Sequence, residues 1–568
     1  MIVQEQSAHR ALPTPEDFPV TWEAPEDERL LWTLEAQHMP GQQLPLTFDI
    51  MGQRTTAGLS YAFTRLEMPI RGVEARLFNT YAYRARVPAK APPREMAARG
   101  QRMERNLRSL ALRLGEAWER EWLPEAAEHI DAMRRFDVAT ATMPELLAHL
   151  DDALDRVTRL WQISMFLSMG VYFAMSEFDD LYHDLFSADG AFDAYRLLGG
   201  FSNTSMEMGQ ALWRLSRRAR AVPDVRRALE SEAPSEVMAA LEASDEGRVF
   251  IEQLRAYLAR YGERSEGSMS CVSWIEDPTP VIGSLQSYVI QPDDADPALA
   301  AQTAARDREE AIAAARARLA GYPKPVVEEF ETWLRAAQTG TVLSEDHAFH
   351  IDINVVYQGR RVVVEIGRRL AGAGVITSPD DIFLLGLAEL REAMASFPKL
   401  DCRAIVDQRK AELERFRDVR PPKELGTPPP PSAAGRSKSG SSFAEKFQGV
   451  LPAEPAAPGT LSGTAGSPGS ARGTARVIRS LAEAGRLRPG DVLVTETTTP
   501  PWTPLFATAA AVVTDTGGVL SHCAVVAREY GIPAVVGTGN ATSTLLDGQL
   551  VEVDGDAGTV RVQPGPVQ

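Results

Sequence analysis

Residues 514–538 read TDTGGVLSHCAVVAREYGIPAVVGT, and they hold the most informative pattern in the chain. An apolar run at Ala511–Val513 predicts a strand that ends before the Gly-Gly pair. Ser521 is a typical N-cap for a helix over His522–Tyr530, and Gly531 with the proline two residues later ends that helix. The apolar residues that follow predict another strand. The stretch therefore predicts a small α/β unit with a histidine in the first helical turn.

The position of His522 favours a role in phosphoryl transfer. Unpaired backbone N–H groups and the positive end of the helix dipole attract an anion to the first turn of a helix. Gly517 and Gly518 allow a phosphate donor to approach the backbone closely. A neutral imidazole nitrogen is a nucleophile, so we expect His522 to hold a phosphoryl group as a labile phosphoramidate. The alternative for any single histidine is a surface or core position without chemistry.

Further motif residues surround this histidine in the C-terminal part of the chain. They are Gly466–Gly469, Gly473, Pro489–Val494, Thr499, Trp502–Leu505 and Thr514–Gly537. With them, residues from about 459 to 562 resemble the swivelling phosphohistidine domain of phosphoenolpyruvate-utilising enzymes such as phosphoenolpyruvate synthase, pyruvate phosphate dikinase and rifampin phosphotransferase. The resemblance implies that His522 is the phosphorylated histidine. The other residues of its motif are Gly517, Gly518, Ser521 and Arg528. Leu520 stands where dikinase members usually carry Thr, which argues against pyruvate chemistry.

Length and composition predict a multidomain globular chain. The 568 residues are too many for one ordinary hydrophobic core, and 44% hydrophobic with 24% charged residues is typical of globular proteins. A net charge of −17 argues against nucleic acid and anionic membranes as partners. Cys271, Cys402 and Cys523 lie far apart without metal-ligand spacing, so neither a disulfide framework nor a metal site is expected.

No segment predicts a signal peptide or a membrane-spanning helix. The N-terminus lacks a basic start followed by an apolar run. The most apolar helical stretch, Leu160–Met175, is too short to cross a bilayer and contains polar residues. We therefore expect a cytoplasmic protein without membrane contacts.

Changes in composition predict four regions. They are a mixed part at 1–97, a helical part at 98–419, a linker rich in Pro, Ser and Gly at 420–458 that we expect to be flexible, and an α/β part at 459–568. The family resemblance implies that the first part is the N-terminal part of the substrate domain, the second a substrate-binding domain and the last a swivelling phosphohistidine domain. The predicted fold class is multidomain, with a mainly α-helical substrate-binding domain followed by a small α/β domain of the β/β/α kind. A flexible coil of this length spans about 35 Å on average, which suits a domain that visits two separate sites.

Helical periodicity dominates the second of these regions. Apolar residues recur at spacings of three and four between about 107 and 160. Pro144 suits a helix start, Asn203–Ser205 a helix cap and residues 306–319 a long helix, so we expect a bundle of long helices. In residues 1–97, Pro and Gly interrupt short apolar pieces and no regular structure is predicted.

The middle of the chain carries a second, looser set of motif residues. They are Trp32, His38, Pro45–Leu46, Asn79, Tyr81, Tyr83, Tyr261–Arg264, Trp274–Pro278, Glu345–His347 and Asp380–Leu385. They resemble the substrate-binding domain of rifampin phosphotransferase and the histidine-bearing subunit of phenylphosphate synthase. No P-loop, ATP-grasp pattern or phosphoenolpyruvate-binding barrel is visible. Since phenylphosphate synthase carries its ATP-grasp part on a separate subunit, the resemblance implies a separate ATP-grasp protein that binds ATP and Mg²⁺.

Four residues are candidates for an acceptor site: Arg264, Glu345, Asp346 and His347. His347 or Asp346 is suited to remove the proton from an acceptor hydroxyl. The planar donors of Arg264 are suited to hold the transferred phosphate. The alternatives are a solvated Asp–His pair on a helix, and a structural salt bridge of Arg264 with Glu263 or Glu266.

Two functions from different classes remain open at this point. The first is a phosphotransferase component that carries phosphate on His522 from an ATP-grasp partner to a hydroxyl of a small organic acceptor. Leu160–Met175 is rich in Met and aromatic residues, so if it lines the site the acceptor is bulky, apolar or aromatic; core packing is the alternative. The second function is a phosphocarrier or regulatory ligand-binding protein without acceptor chemistry of its own.

Overall fold

A computed structural model describes residues 11–36, 38–429, 445–449 and 459–563. The strands in these residues are β1 Leu31–Leu34, β2 Ile70–Phe78, β3 Tyr81–Pro88, β4 Glu424–Gly426, β5 Thr460–Ser462, β6 Thr464–Ser467, β7 Ser470–Val477, β8 Val492–Thr495, β9 Ala511–Thr514, β10 Ala534–Val536, β11 Leu550–Asp554 and β12 Thr559–Val562. They form two sheets, one near the N-terminus and one in the C-terminal domain.

The α-helices between the two sheets make up most of the molecule. They are α1 Pro45–Thr47, α2 Gln53–Arg65, α3 Pro93–Leu112, α4 Leu114–Ala117, α5 Leu123–Arg135, α6 Met143–Leu185, α7 Asp193–Arg196, α8 Thr204–Ala221, α9 Pro223–Ser231, α10 Val237–Glu242, α11 Asp245–Tyr261, α12 Thr279–Val289, α13 Pro297–Leu319, α14 Lys324–His347, α15 Asn354–Gly372, α16 Leu387–Ala395 and α17 Arg403–Phe416. Segments of π-helix lie at Phe48–Gly52, Trp118–Trp122 and Ala348–Ile353. Short 3₁₀ turns lie at Asp27–Arg29, Asp293–Ala295 and Pro379–Leu384.

The N-terminal sheet has the strand order β2-β3-β1-β4, with every pair antiparallel. Its last strand, β4, comes from residues predicted as linker and pairs with β1. The side chain of Leu425 in β4 is buried in the same apolar cluster as Trp32. The predicted linker boundary at residue 420 is therefore too early, because residues 424–426 complete a sheet with β1.

Helix α6 is the centre of the helical region. Its 43 residues begin at a capping box, in which Thr142 and Glu145 each accept a hydrogen bond from the other's backbone N–H. Pro144 lies in the first turn, as predicted. Helices α2, α3, α14 and α15 pack along α6 and bury its apolar positions in one continuous core. The helical region predicted from periodicity is confirmed.

The C-terminal domain is an α/β domain with the strand order β5-β12-β11-β7-β8-β9-β10-β6. Strands β7, β8, β9 and β10 run parallel, and the outer pairs are antiparallel. Its helices are Leu481–Arg486 and Pro500–Trp502 in 3₁₀ form and the α-helices Thr503–Phe506, His522–Tyr530 and Ala541–Thr544. The helix at His522 and the strands beside it have the predicted positions, and Gly531 ends that helix with a left-handed φ of 66°.

The C-terminal domain is docked on the helical region through an apolar interface. A single buried cluster runs from α8, α11 and α12 into the helix at His522 and the sheet beneath it. Tyr288 Oη donates to Pro504 O at 2.8 Å, and Gln291 Nε2 donates to Thr508 Oγ1 at 3.2 Å. A Cβ on Gly209 would lie 2.4 Å from Tyr530 Oη, so this glycine is needed for the close approach of α8. The helix that begins at His522 thus faces the helical region.

One piece of the predicted linker also lies at this interface. Residues Glu445–Gly449, called the strap below, form a helical turn in which Gly449 N donates to Glu445 O at 2.8 Å. Lys446 Nζ contacts Asp179 Oδ2 at 2.6 Å and Asp180 Oδ1 at 2.8 Å on α6. The rest of the linker, residues 430–444 and 450–458, lies outside the described residues.

None of the helices in the described part of the chain is both long enough and apolar enough to cross a membrane. The apolar stretch Leu160–Met175 forms the middle of α6 and is packed inside the helical core.

Candidate active site

His522 is hydrogen-bonded across the domain interface to a buried carboxylate. Its Nδ1 lies 2.9 Å from Glu345 Oε1, and the other carboxylate oxygen accepts from Ser205 Oγ at 2.7 Å. The Glu345 side chain is 3% exposed. Burial alone would raise its pKa, but the charge and hydrogen bond of His522 and the hydrogen bond of Ser205 leave the pKa of Glu345 below its usual value. The carboxylate is therefore ionised, and Nδ1 carries the proton of this hydrogen bond.

The second ring nitrogen of His522 is left without a partner. His522 Nε2 is buried and makes no hydrogen bond, and the same is true of Ser521 Oγ beside it. Ser521 occupies the N-cap position, as predicted, but its side chain does not bond to the helix. Because Nδ1 donates to Glu345, the lone pair of the neutral ring lies on Nε2. Nε2 is therefore the ring nitrogen of His522 that has no hydrogen-bond partner among the described residues.

Arg528 stabilises the loop that carries the histidine. Its guanidinium donates to Gly466 O at 2.7 Å and to Val519 O at 2.8 Å, and it stacks over the ring of Tyr195 with its carbon 4.5 Å from the centroid. Burial lowers its pKa, and the nearby hydroxyl of Tyr195 and the carboxylate of Glu529 oppose that shift. Arg528 therefore positions the loop before His522 by donating to backbone carbonyl groups. Neither of these hydrogen bonds is to His522.

Arg264 is a fully buried guanidinium without a hydrogen bond. Its relative exposure is 0%, and Nε and both terminal nitrogens have no partner. Its charge lies over the ring of Phe349 at 4.8 Å and that of Tyr261 at 5.8 Å. Burial lowers its pKa to about 10, against the opposing effects of Tyr257, Glu345 and Tyr261. An unpaired buried charge is costly, so this group is a strong candidate to receive an anion.

The salt bridge considered for Arg264 in the sequence is absent. Glu263 Oε2 instead accepts from Arg134 at 3.2 Å, and Glu266 accepts from the backbone N–H of Leu481 in the C-terminal domain. Both carboxylates therefore bind other groups. Among the described residues the guanidinium of Arg264 has no hydrogen-bond partner, and its contacts are with the rings of Phe349 and Tyr261.

His347 forms a second polar cluster with a residue that the sequence did not single out, Asp352. His347 Nδ1 donates to Leu343 O at 2.6 Å, so Nε2 faces Ser168 Oγ at 3.2 Å and Asp352 Oδ2 at 3.8 Å. Asp352 Oδ1 accepts from Ser164 Oγ at 2.7 Å. Burial raises the pKa of Asp352, while the nearby His347 charge and the hydrogen bond from Ser164 oppose the shift.

The side chain of Asp352 is still 25% exposed, whereas that of His347 is 6% exposed. A bound molecule therefore reaches Asp352 more easily than His347. Asp352 is thus the more accessible group of the two, and the role of His347 as a base stays a prediction.

Asp346 has a different environment from the other candidates. Its Oδ1 accepts from Thr204 N at 2.8 Å and from Thr204 Oγ1 at 2.9 Å. Asp346 thus accepts from the backbone N–H of Thr204, which has no partner within α8 because it lies in the first turn. Asn203 caps the same helix, since its Oδ1 accepts from Met206 N. Asp346 therefore joins α14 to α8, and its contacts give no support to a role as proton acceptor.

Cys523, adjacent to His522 in the sequence, is buried. Burial raises the pKa of its thiol to about 12, so the reactive thiolate is scarce near neutral pH. The described residues contain no group of three or more His, Cys, Asp or Glu side chains that could hold a metal ion.

Family models match both parts of this site. Residues 164–345 match the model described as the fourth domain of rifampicin phosphotransferase, and residues 487–558 match the mobile domain of PEP-utilising enzymes. The first match ends at Glu345, and the second contains His522. The chain contains the mobile domain of PEP-utilising enzymes and resembles rifampicin phosphotransferase.

Three known proteins that are similar to this chain include two phosphotransferases. The chain is 42% identical to chondramide synthase of Chondromyces crocatus over 97% of its own length and 14% of that protein. It is 33% identical to the uncharacterized phosphotransferase YvkC of Bacillus subtilis over 67% of its length and 45% of the relative. It is 30% identical to rifampicin phosphotransferase of Streptomyces sviceus over 76% of its length and 48% of the relative. The chain thus spans less than half of each of these proteins.

Docking of the C-terminal domain is expected to weaken as pH rises from about 5 to about 7. Glu529 is buried at the interface and accepts from Gly200 N, and burial raises its pKa to about 7. Docking raises the pKa of Glu529, so the docked state keeps this carboxyl protonated at pH values where the undocked state has lost the proton. The free energy of docking therefore becomes less favourable as pH rises from the usual carboxylate pKa to about 7. Small-angle X-ray scattering between pH 5 and 8 should show the radius of gyration increasing over that interval.

The Glu529→Gln variant removes the titrating group and should stay docked across this pH range. Glu552→Gln is the matched control, since Glu552 contacts Arg472 and Gln563 within its own domain. A radius of gyration that falls as pH rises, or a Glu529→Gln variant that opens as the parent does, would exclude Glu529 as the pH-sensitive contact.

Proposed function

We propose that the chain carries a phosphoryl group on Nε2 of His522 and transfers it to a hydroxyl of a small organic acceptor bound by the helical region. One observation carries this proposal: the buried hydrogen bond between His522 Nδ1 and Glu345 joins the two domains and leaves Nε2 without a partner. The match to the mobile domain of PEP-utilising enzymes and the phosphotransferase names of two relatives support the same chemistry.

Glu345 has two roles in this proposal. It holds the imidazole in the tautomer whose lone pair lies on Nε2, and it stabilises the positive charge that the ring carries while Nε2 is phosphorylated. Ser205 Oγ fixes the carboxylate from the other side at 2.7 Å. Since Glu345 lies in the helical region and His522 in the C-terminal domain, this support exists only when the domains are docked.

Transfer to the acceptor requires a proton acceptor and a group that balances the phosphate charge. As the acceptor oxygen bonds to phosphorus, its proton passes to Asp352, the P–Nε2 bond breaks and its electron pair returns to His522. Asp352 is suited to this step because burial raises its pKa and its side chain is partly exposed. Arg264, which has unused donors, would pair with the phosphoryl oxygens.

Charging of His522 would take place on a separate ATP-grasp protein that binds ATP and Mg²⁺. The C-terminal domain would leave the docked position, receive the phosphoryl group and return, with residues between β4 and β5 as the tether. This step rests on the family resemblance and on the chemistry of phosphoryl transfer, in which Mg²⁺ neutralises the phosphate oxygens of the donor.

The Asp352→Asn variant should retain phosphorylation of His522 but lose transfer to the acceptor by about 100-fold or more, the usual contribution of a positioned base. The protein is charged with potassium phosphoramidate, a small phosphoryl donor for histidine, and loss of acid-labile phosphate is followed in the presence of a panel of phenols and aromatic alcohols. Asp184→Asn, at the exposed end of α6, is the matched control.

An Asp352→Asn variant that discharges to the same acceptor as fast as the parent would contradict the role of Asp352. If no hydroxylated compound removes the phosphate from His522 of the phosphorylated parent protein, the result would instead favour a phosphocarrier without acceptor chemistry.

A further inference from the structure

The strap, residues Glu445–Gly449, lies directly on the loop that precedes His522. The carbonyl oxygens of Lys446 and Phe447 accept from the N–H groups of Leu520 and Gly518, each at 2.9 Å. A Cβ on Gly518 would lie 2.2 Å from Lys446 O, so only glycine allows this approach. The second glycine of the phosphohistidine motif therefore accommodates a segment of the chain's own linker.

The strap also places an aromatic ring against the helical region. The ring centroid of Phe447 lies 4.2 Å from that of Tyr172, with an angle of 38° between the planes. It lies 6.1 Å from the ring of His38, which is stacked at 25°. Phe447 is only partly buried, and Lys446 holds the strap through ion pairs with Asp179 and Asp180. The ion pair with Asp179 is largely buried, whereas Asp180 is half exposed. The strap is thus held by one partly buried ring and a few polar contacts, which a ligand that replaces the ring can displace reversibly.

Tyr172 connects this ring to the reacting groups. Burial and the nearby carboxylates of Glu345 and Asp352 all raise the pKa of the Tyr172 hydroxyl. The same tyrosine that stacks with Phe447 is therefore close to the partner of His522 and to the proposed base. His38 adds a charge that opposes the raised pKa of Asp352, so it belongs to the same region.

We propose that the place of the Phe447 ring, between Tyr172 and His38, is the subsite for the aromatic ring of the acceptor, and that the strap leaves it when the acceptor binds. This inference rests on the proposed function and specifies its substrate class as an aromatic compound with a hydroxyl group. A planar ring stacked on Tyr172 would lie in the same region as Asp352 and Glu345, the partner of the docked His522. The Phe447 side chain thus competes with the acceptor for this subsite.

Binding of 2-naphthol to the unphosphorylated full chain, without nucleotide or partner, tests the subsite. If Phe447 occupies the subsite most of the time, the apparent affinity for a ligand is the intrinsic affinity multiplied by the fraction of molecules in which the subsite is free. Isothermal titration should therefore show that Phe447→Ala binds 2-naphthol at least about ten-fold more tightly than the parent. Gln448→Ala, an exposed residue of the same strap, should bind as the parent does. Adding Tyr172→Ala to Phe447→Ala should remove the gain.

Equal affinity of the parent and Phe447→Ala, weaker binding by Phe447→Ala, or a gain that persists without Tyr172 would each overturn the subsite. None of these measurements needs a phosphorylated histidine. A failure of His522 to accept phosphate would therefore refute the proposed function and leave the binding result intact, whereas the outcomes above refute the subsite alone.

Discussion

A His522→Asn variant is expected to accept no phosphoryl group while keeping its fold and its docked arrangement. Asparagine retains an amide N–H that can donate to Glu345 in place of Nδ1, but it has no nitrogen in the position of Nε2. The buried carboxylate of Glu345 thus keeps a hydrogen-bond partner. An alanine variant would leave this carboxylate without a partner and would therefore be destabilised. Acid-labile phosphate after treatment with phosphoramidate, and transfer to any acceptor, should both fall to background.

The control for this variant is His347→Asn, which changes a buried histidine that Leu343 and Ser168 already contact. It should retain labelling of His522. Phosphate on the His522→Asn protein at the level of the parent would show that another residue carries the group.

Replacing Arg264 with methionine is expected to lower transfer to the acceptor by about 100-fold while leaving stability unchanged or higher. The guanidinium is fully buried and has no hydrogen bond, so the folded protein bears the cost of an unpaired charge. Methionine fills a similar space against Phe349 and Tyr261 without that cost. A donor aimed at the charge that develops in transfer contributes on the order of 100- to 1,000-fold to the rate, and methionine cannot supply it.

Thermal unfolding and the rate of discharge from phosphorylated His522, measured on the same samples, separate the two possible roles of Arg264. Arg260→Met is the matched control, because Arg260 lies in the same region, contacts Glu207 and is largely exposed. A methionine variant with a lower unfolding temperature and normal discharge would show that Arg264 is structural.

The parts of the fold that the sequence predicted are those set by neighbouring residues. The helix over His522–Tyr530 follows from its apolar face and from a glycine that adopts a left-handed φ, whereas Ser521 has the predicted N-cap position but its side chain makes no capping bond. The start of α6 follows from Thr142, Glu145 and Pro144 in the same way. Local signals of this kind act over one or two helical turns, so they can be read without knowledge of the rest of the chain.

The parts that were missed depend on contacts between distant residues. Strand β4 is recognisable only when β1, almost 400 residues earlier in the chain, is beside it. The contact between Glu345 and His522 joins residues 177 positions apart, so the sequence identified both groups but not their pairing. The strap belongs to a segment whose composition is typical of a linker, and its contacts with Gly518 and Tyr172 leave no local signal.

Asp352 shows how a local irregularity hides a site residue. In a regular α-helix, positions three and four after His347 share its face, and Asp352 is five residues away. The π-helical segment Ala348–Ile353 widens the turn, so the fifth residue returns to that face and Asp352 comes within 3.8 Å of the His347 ring. Such segments are frequent at functional sites, but their position is not encoded in a hydrophobic pattern.

The central claim is that the phosphoryl group on its way to the acceptor is carried by Nε2 of His522, and that Glu345 holds Nδ1 when the domains are docked. Nitrogen-15 NMR of the phosphorylated full chain, with ¹⁵N-labelled histidine, distinguishes the two ring nitrogens directly. We predict one phosphohistidine, at residue 522, with the phosphoryl group on Nε2 and a proton on Nδ1. Phosphate on Nδ1, on a different histidine, or on no histidine in a correctly folded protein would contradict the account.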